Sequence, residues 1–179
     1  MTVYRQPPAD TYVVCLDEMG PTSAKTYFSH RWNDTRPIVE ADYGRRGKVW
    51  TFGAFEPHTG QALTQCYDRR TSANFVDFLN HVVATWTDKN ILFILDNLSI
   101  HKTIDVLLWA LAHPHVRFLF QPTYAPWLNL IEPWWKTLRS LALKGRCFQV
   151  VAEITHAITW ATDFWNDQRH PYLWRKVFV

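Results

Sequence analysis

Two short apolar runs that each end on an acid set the frame of this chain. Tyr12-Val-Val-Cys-Leu-Asp17 and Ile91-Leu-Phe-Ile-Leu-Asp96 lack the alternation of a half-exposed strand. Each reads as a β-strand covered on both faces, with its aspartate where the strand surfaces. Lys48–Glu56 and Gln61–Tyr67, joined by Pro57-His-Thr-Gly60, predict a β-hairpin, and Val116–Phe120 a fifth strand. Between them the period changes to that of a helix. Phe75, Phe78, Leu79, Val82, Val83 and Trp86 keep i, i+3, i+4 spacing behind a cap at Thr71 or Ser72. Thr103 to Ala112 predicts a second helix, stopped before Pro114. Asn129–Lys144 predicts a third, capped by Asn129 and ended by Gly145. A last helix, Val151 to about Asp167, carries Val151, Ile154, Ile158, Ala161 and Trp165 along one stripe.

The order β, hairpin, α, β, α, β, α, α predicts an α/β fold: a mixed five-stranded sheet with helices on both faces. Residues 1–11 read as a polar lead-in, 12–168 as one catalytic-sized domain, and 169–179 as a basic and aromatic tail. Residues 19–46 read as irregular, with room for a short strand at Lys25–Phe28.

Composition narrows the class. A chain of 179 residues with 47% hydrophobic and 16% aromatic content can bury a core, so disorder is excluded. Ten tryptophans are many, and packing is the plainer reading of them than base stacking. A net charge of +3 permits a polyanionic partner without requiring one. Cys15, Cys66 and Cys147 are widely spaced and read as reduced core thiols of a cytoplasmic protein. No apolar run approaches the ~20 residues of a membrane span.

The chemistry gathers around a third acid. In Gln121-Pro-Thr-Tyr-Ala-Pro-Trp-Leu-Asn-Leu-Ile-Glu-Pro-Trp-Trp-Lys136, the prolines hold off a helix until Glu132 and Pro133 stand in its first turn. Alone, Glu132 is either a charge partner for the helix dipole or a ligand that must not move. Asp17 and Asp96 tip the balance, because strand ends of open α/β sheets are where sites are built. Three acids without a Cys or His cluster are hard oxygen ligands, suited to Mg²⁺ or Mn²⁺ rather than Zn²⁺. Glu18 adjoins Asp17, but side chains alternate along a strand, so it is expected to face away from the metals or onto Lys25 or an arginine, with a place as a fourth ligand the lesser alternative. Asn97 either supports or caps the Asp96 loop. His101 orients Asp96, touches a phosphate, protonates a leaving group or is a plain loop residue. Lys136 and Arg139 lie at i+4 and i+7 from Glu132, within roughly 40° of it around the helix. That basic stripe suits a DNA track, and Lys102, Arg45 and Arg46 are further candidates, with Lys48, Arg169, Arg175 and Lys176 weaker ones. His113 and His115 read as loop residues. Trp127, Trp134 and Trp135 are expected to wedge the helix start.

Acids at the end of the first strand, at the end of the fourth and on a late helix follow the ribonuclease H-like plan. The strings Cys15-Leu-Asp-Glu-Met-Gly20, Asp96-Asn-Leu-Ser-Ile-His-Lys102 and Pro122-Thr-Tyr-Ala-Pro-Trp-Leu-Asn-Leu-Ile-Glu-Pro-Trp-Trp135 sharpen it. They resemble the catalytic domain of mariner-like bacterial insertion-sequence transposases, of the DDE superfamily. The 35 residues between Asp96 and Glu132 fit that family's spacing. The resemblance covers nearly the whole chain, and the family's usual N-terminal helix-turn-helix region has no counterpart in these residues.

The resemblance implies that Asp17, Asp96 and Glu132 are catalytic and together hold two Mg²⁺ ions, with Mn²⁺ as substitute, set ~3.5–4 Å apart. Asn97 and His101 would support them, and Lys102, Lys136, Arg139, Arg45 and Arg46 would meet DNA. It implies metal-dependent cleavage at element ends and strand transfer into target DNA. A homodimer, a separate helix-turn-helix DNA-binding polypeptide and a cytoplasmic, nucleoid-associated site of action go with it. The alternatives are a non-transposing nuclease of the same fold and an inactive or domesticated DNA-binding remnant. A glycosidase using two of the acids is more distant.

Overall fold

The computed structural model describes residues 2–24, 46–123 and 125–172. Its elements are α1 (Thr2–Arg5), β1 (Thr11–Ser23), β2 (Lys48–Glu56), β3 (Gln61–Tyr67), α2 (Ser72–Thr85), β4 (Asn90–Leu95), α3 (Ile104–Ala112), β5 (Val116–Phe120), α4 (Ile131–Ala142) and α5 (Val151–Asp167). Short 3-10 turns at Ser99–Lys102 and Pro126–Leu128 precede α3 and α4. The strands form one sheet in the order β3-β2-β1-β4-β5. β1 runs parallel to β4 and antiparallel to β2, β2 pairs antiparallel with β3, and β4 is parallel to β5. This is the mixed, two-faced sheet the sequence pattern predicts.

Alternation along β1 separates two cores. Val13, Cys15 and Met19 pack with Trp134, Leu138, Ile154 and Ile158, so α4 and α5 cover that face. Val14 and Leu16 pack with Phe75, Phe78, Leu79 and Trp109, so α2 and α3 cover the other. Burying a side chain of this size contributes roughly 1.5–3 kcal/mol, so both helical layers are firmly seated. Thr71 caps α2, its hydroxyl accepting from the Asn74 N–H at 3.2 Å. Gly60 turns the β2–β3 hairpin at φ 76, and Glu56 satisfies that turn by accepting from the His58 and Thr59 N–H groups.

Several expectations need correction. β1 does not stop at Asp17. It continues to Ser23 against β2, with a register shift between Met19 and Thr22, because β2 offers a long antiparallel edge. Helix α4 starts at Ile131 rather than Asn129, and the residue at its cap position is Leu130. Asn129 does more than cap: its Oδ1 accepts from the Ile131 N–H at 3.3 Å and its amide donates to Leu16 O at 2.9 Å. The lead-in contains α1, whose Tyr4 hydroxyl donates to Leu128 O at 2.8 Å. Cys147 is exposed, unlike buried Cys15, and Trp127 is 66% exposed and wedges nothing. The possible strand at Lys25–Phe28 lies outside the described residues.

Candidate active site

The parallel register places the first two acids. The β1–β4 ladder ends at Cys15 opposite Ile94, so Asp17 and Asp96 stand at the same level, each two residues beyond that last pair. Asp17 is held from the other side too, opposite Gly53 of β2. The third acid arrives from α4. There Trp135, one turn after Glu132, donates its indole N–H to Asp17 Oδ2 at 2.9 Å. Gly53 makes this contact possible: a Cβ there would sit 2.4 Å from the Trp135 ring. A glycine inside a strand marks such a close approach, and this one seats α4 against β1 and β2.

Burial pushes the Asp17 carboxyl up to about 7; the Trp135 hydrogen bond opposes this, and the nearby charges of Glu18 and Glu132 add to it. Glu132 is half-buried, and its carboxylate makes no hydrogen bond or ion pair with any described residue. Its backbone N–H donates to Asn129 O at 3.2 Å.

Asp96 follows the last residue of β4. Its Oδ1 accepts from the Leu98 N–H at 3.0 Å and meets His101 Nδ1 at 3.1 Å. Burial would raise its pKa, but these hydrogen bonds, with the charges of His101 and Arg70, hold it below the ordinary carboxylate range. The other nitrogen of His101, Nε2, meets Glu18 Oε1 at 2.8 Å. Burial opposes a charged His101 ring, yet the two carboxylates raise its pKa to about 9, so both nitrogens carry protons at neutral pH. Glu18 therefore faces away from Asp17, as alternation requires, but its partner is His101. Lys25 lies outside the described residues. Because the ring is buried against Phe75 at 4.4 Å between centroids, it is not presented to a phosphate in this conformation.

The remaining candidates surround these acids. Asn97 donates to Gln121 O and accepts from Lys102 Nζ at 2.5 Å, which also covers the Phe120 ring at 4.9 Å. Lys136 is exposed, whereas Arg139 turns its Nε to Met19 Sδ at 3.2 Å, its guanidinium lying close to β1. Arg46 donates to the Gln149 side chain, away from the acids in sequence and on the loop leading to α5. Arg45, Arg175 and Lys176 lie outside the described residues. A cleft of about 270 Å³ opens beside Asp96, lined by Asn97, Leu98, Gln121, Pro122 and Thr123. His113 stacks on Trp109 at 4.0 Å and takes no part.

The donor set fits a hard divalent cation in its chemistry. It offers only carboxylate oxygens, Glu132 lacks a protein partner among the described residues, and Asp17 is strained by burial and by neighbouring negative charge. Among the described residues, no three His, Cys, Asp or Glu side chains, Asp17, Asp96 and Glu132 included, stand close enough together to hold a metal ion. Sequence reasoning missed three contributors: Trp135 as a donor, Gly53 as its seat, and Glu18 as the partner of His101. The Gly inside a predicted strand was a signal for the second, and strand alternation for the third.

Comparison with known proteins shows the family and the fold. The family model for DDE superfamily endonucleases matches residues 12–155. An insertion element IS630 uncharacterized 39 kDa protein from Shigella sonnei is 29% identical over 126 residues, which is 68% of this chain and 37% of that protein. The chain thus spans little more than a third of the curated relative it matches. In fold, it is similar to Mos1 transposase in its paired-end complex, with TM-score 0.64, 12% identity and coverage of 96% of this chain and 52% of that one. It is also similar to the HTLV-2 integrase catalytic core in complex with magnesium, with TM-score 0.54, 11% identity and coverage of 86% and 83%. These likenesses identify the ribonuclease H-like sheet of integrase and transposase cores.

Proposed function

We propose, from the premise that this chain belongs to the DDE superfamily of endonucleases, that it is the catalytic domain of an insertion-sequence transposase. What supports the reading is the register that sets Asp17 level with Asp96, together with the Trp135 hydrogen bond that ties the helix carrying Glu132 to Asp17. These three acids would hold two divalent ions, Mg²⁺ or Mn²⁺. When bound, such ions activate the attacking oxygen and stabilise the leaving one. The chain's own groups do the rest. Trp135 holds Asp17 by one oxygen, and His101 with the Leu98 N–H holds Asp96. Asn97 fixes the following loop to Gln121 and leaves Lys102 beside it. Lys102, Lys136, Arg139, Arg45 and Arg46 supply cations for the phosphate backbone.

The reactions are two in-line phosphoryl transfers. Water attacks a phosphodiester at an element end and frees a 3′-hydroxyl; that hydroxyl then attacks a target strand, whose own 3′-oxygen leaves. Neither needs a covalent protein intermediate. The partners are element ends and target DNA, with a homodimer as the working form. A helix-turn-helix polypeptide would supply recognition of the ends.

The test is a joining assay. A labelled duplex with a free 3′-hydroxyl is incubated with supercoiled plasmid, the chain and Mn²⁺. Label carried into plasmid supports strand transfer. Plasmid nicking without joined label favours the plain nuclease. DNA binding without any cleavage, unchanged in Glu132→Gln, favours a binding remnant.

A further inference from the structure

The proposed reaction leaves Glu18 without a task, although its environment is costly. Its side chain is 1% exposed, its Oε1 is bonded to His101 at 2.8 Å, and its Oε2 is buried without a partner. Burying a carboxylate this incompletely satisfied is expensive, and apolar side chains in place of the whole Glu18–His101 pair would avoid that cost. A stability role does not account for it.

The partner of His101 on its other side does. Asp96 lies one residue past the end of β4, with its side chain 45% exposed, so the strand ladder no longer holds it. Two groups replace the ladder on Oδ1, the Leu98 N–H by a hydrogen bond and His101 Nδ1 by an ion-pair contact at 3.1 Å, and that nitrogen also donates to Asp96 O at 3.4 Å. Among the described residues Oδ2 has no protein partner. One oxygen is anchored and the other is left unengaged by those residues. The ring that anchors it, itself 0% exposed, can turn neither way: Phe75 lies against it, and Glu18 grips the far nitrogen.

We propose that Glu18 is a positioning residue, which acts through His101 to fix the direction of the Asp96 carboxylate. Adjacent residues of β1 then serve the site from opposite faces of the sheet. Asp17 contributes its own carboxylate on the α4 face, and Glu18 sets that of Asp96 from the α2 face. This rests on the reading of Asp96 as a metal-holding residue. It follows the general pattern in which the groups that orient ligating side chains matter nearly as much as the ligands.

Two measurements on the full chain test it, with Glu18→Leu and the milder Glu18→Gln, which keeps an oxygen for the His101 N–H. The first is the Mn²⁺ concentration giving half-maximal plasmid nicking, read beside the thermal midpoint. Glu18→Leu strands the buried His101 Nε2–H, so it is expected to lower the midpoint as well as to raise that concentration about 10–100-fold, whereas Glu18→Gln should keep the midpoint and recover most of the metal dependence. A lower midpoint with unchanged metal dependence would overturn the proposal. The second is the imidazole N–H spectrum of His101, with the Nδ1–H signal assigned by its loss in Asp96→Asn. Movement of that signal in both Glu18 variants supports the coupling, and an unmoved signal overturns it. This second measurement decides the matter even where the wild-type chain does not nick DNA, so failure of the nuclease reading and failure of the positioning role are told apart.

Discussion

Asp17 and Glu18 are neighbours in the chain, and their carboxylates leave the sheet on opposite faces. Asp17 accepts from the Trp135 indole at 2.9 Å, and Glu18 meets His101 at 2.8 Å. The two hydrogen bonds span 118 and 83 residues of sequence, so this one dipeptide draws the α4 helix and the Asp96 loop toward the same strand. The alternation of a β-strand is sufficient cause.

The hydrogen bond to Asp17 can be removed with little change of shape. Trp135→Phe keeps an aromatic ring against Gly53 but loses the donor. The Asp17 carboxyl should then rise further, and Mg²⁺-dependent nicking at pH 7 should fall by about tenfold or more. A pH–rate series is the check: the variant's activity should recover as pH increases. A variant with wild-type metal dependence would show that the indole serves packing alone.

Gly53→Ala tests how α4 is seated. The new methyl would lie 2.4 Å from the Trp135 ring and 3.2 Å from Ile131 Cδ1, so the helix or the ring must move. Overpacking of this kind costs roughly 1–3 kcal/mol, readable as a lower denaturation midpoint in urea. Nicking should fall with it, because the displaced indole is the one that holds Asp17.

Stability without metal should depend on pH in a definite direction. Asp17 is raised by burial to about 7, so between its ordinary 3.8 and that value the folded state holds a proton that the unfolded state has released. Stability is therefore lost as pH rises through this window. His101, raised to about 9 by Asp96 and Glu18, acts the same way at higher pH: its contribution is full below 6.5 and is lost through 9. In EDTA the urea midpoint should fall steadily from pH 5 to 8.5, and Asp17→Asn should flatten the part below pH 7. Added Mg²⁺ should restore the midpoint most at the alkaline end, where the carboxylates are ionised. A midpoint that rises across this range would contradict the assignment of these two groups.

Much of this was legible in the residues. Both apolar strands, the hairpin, the helix behind Thr71 and the α5 stripe follow from local period and turn chemistry, and the structure has them where the pattern puts them. What the pattern missed is set by tertiary contact. β1 runs past Gly20-Pro21 because β2 pairs with it, which no window of β1 alone reveals. Asn129 reads as a plain cap until Leu16 O is seen to accept from it. Trp127 and Trp135 look alike in sequence, yet one is 66% exposed and the other is buried against Gly53. His101 carried four readings because its partners, Glu18 on β1 and Asp96 just past β4, are brought together by a strand register that the sequence does not print.

The basic side chains of α4 make a separate prediction. Lys136→Gln and Arg139→Gln should weaken DNA binding and flatten its salt dependence, the slope falling by about 1 for each phosphate no longer neutralised. Lys136 is exposed and should show the full effect. Arg139, drawn toward Met19, should show it only if its guanidinium leaves that sulfur for DNA. Fluorescence anisotropy of a labelled duplex across a salt series measures both, in EDTA so that cleavage does not interfere.

The most direct measurement is nicking of supercoiled plasmid in Mg²⁺ or Mn²⁺ by the wild-type chain, Asp17→Asn, Asp96→Asn and Glu132→Gln. Each variant is first shown to be folded by its thermal midpoint. The expected result is cleavage that requires metal and is lost in all three. Cleavage that persists in any one of them, or a folded wild-type chain that cuts with neither metal, would contradict a shared two-metal site built from these acids.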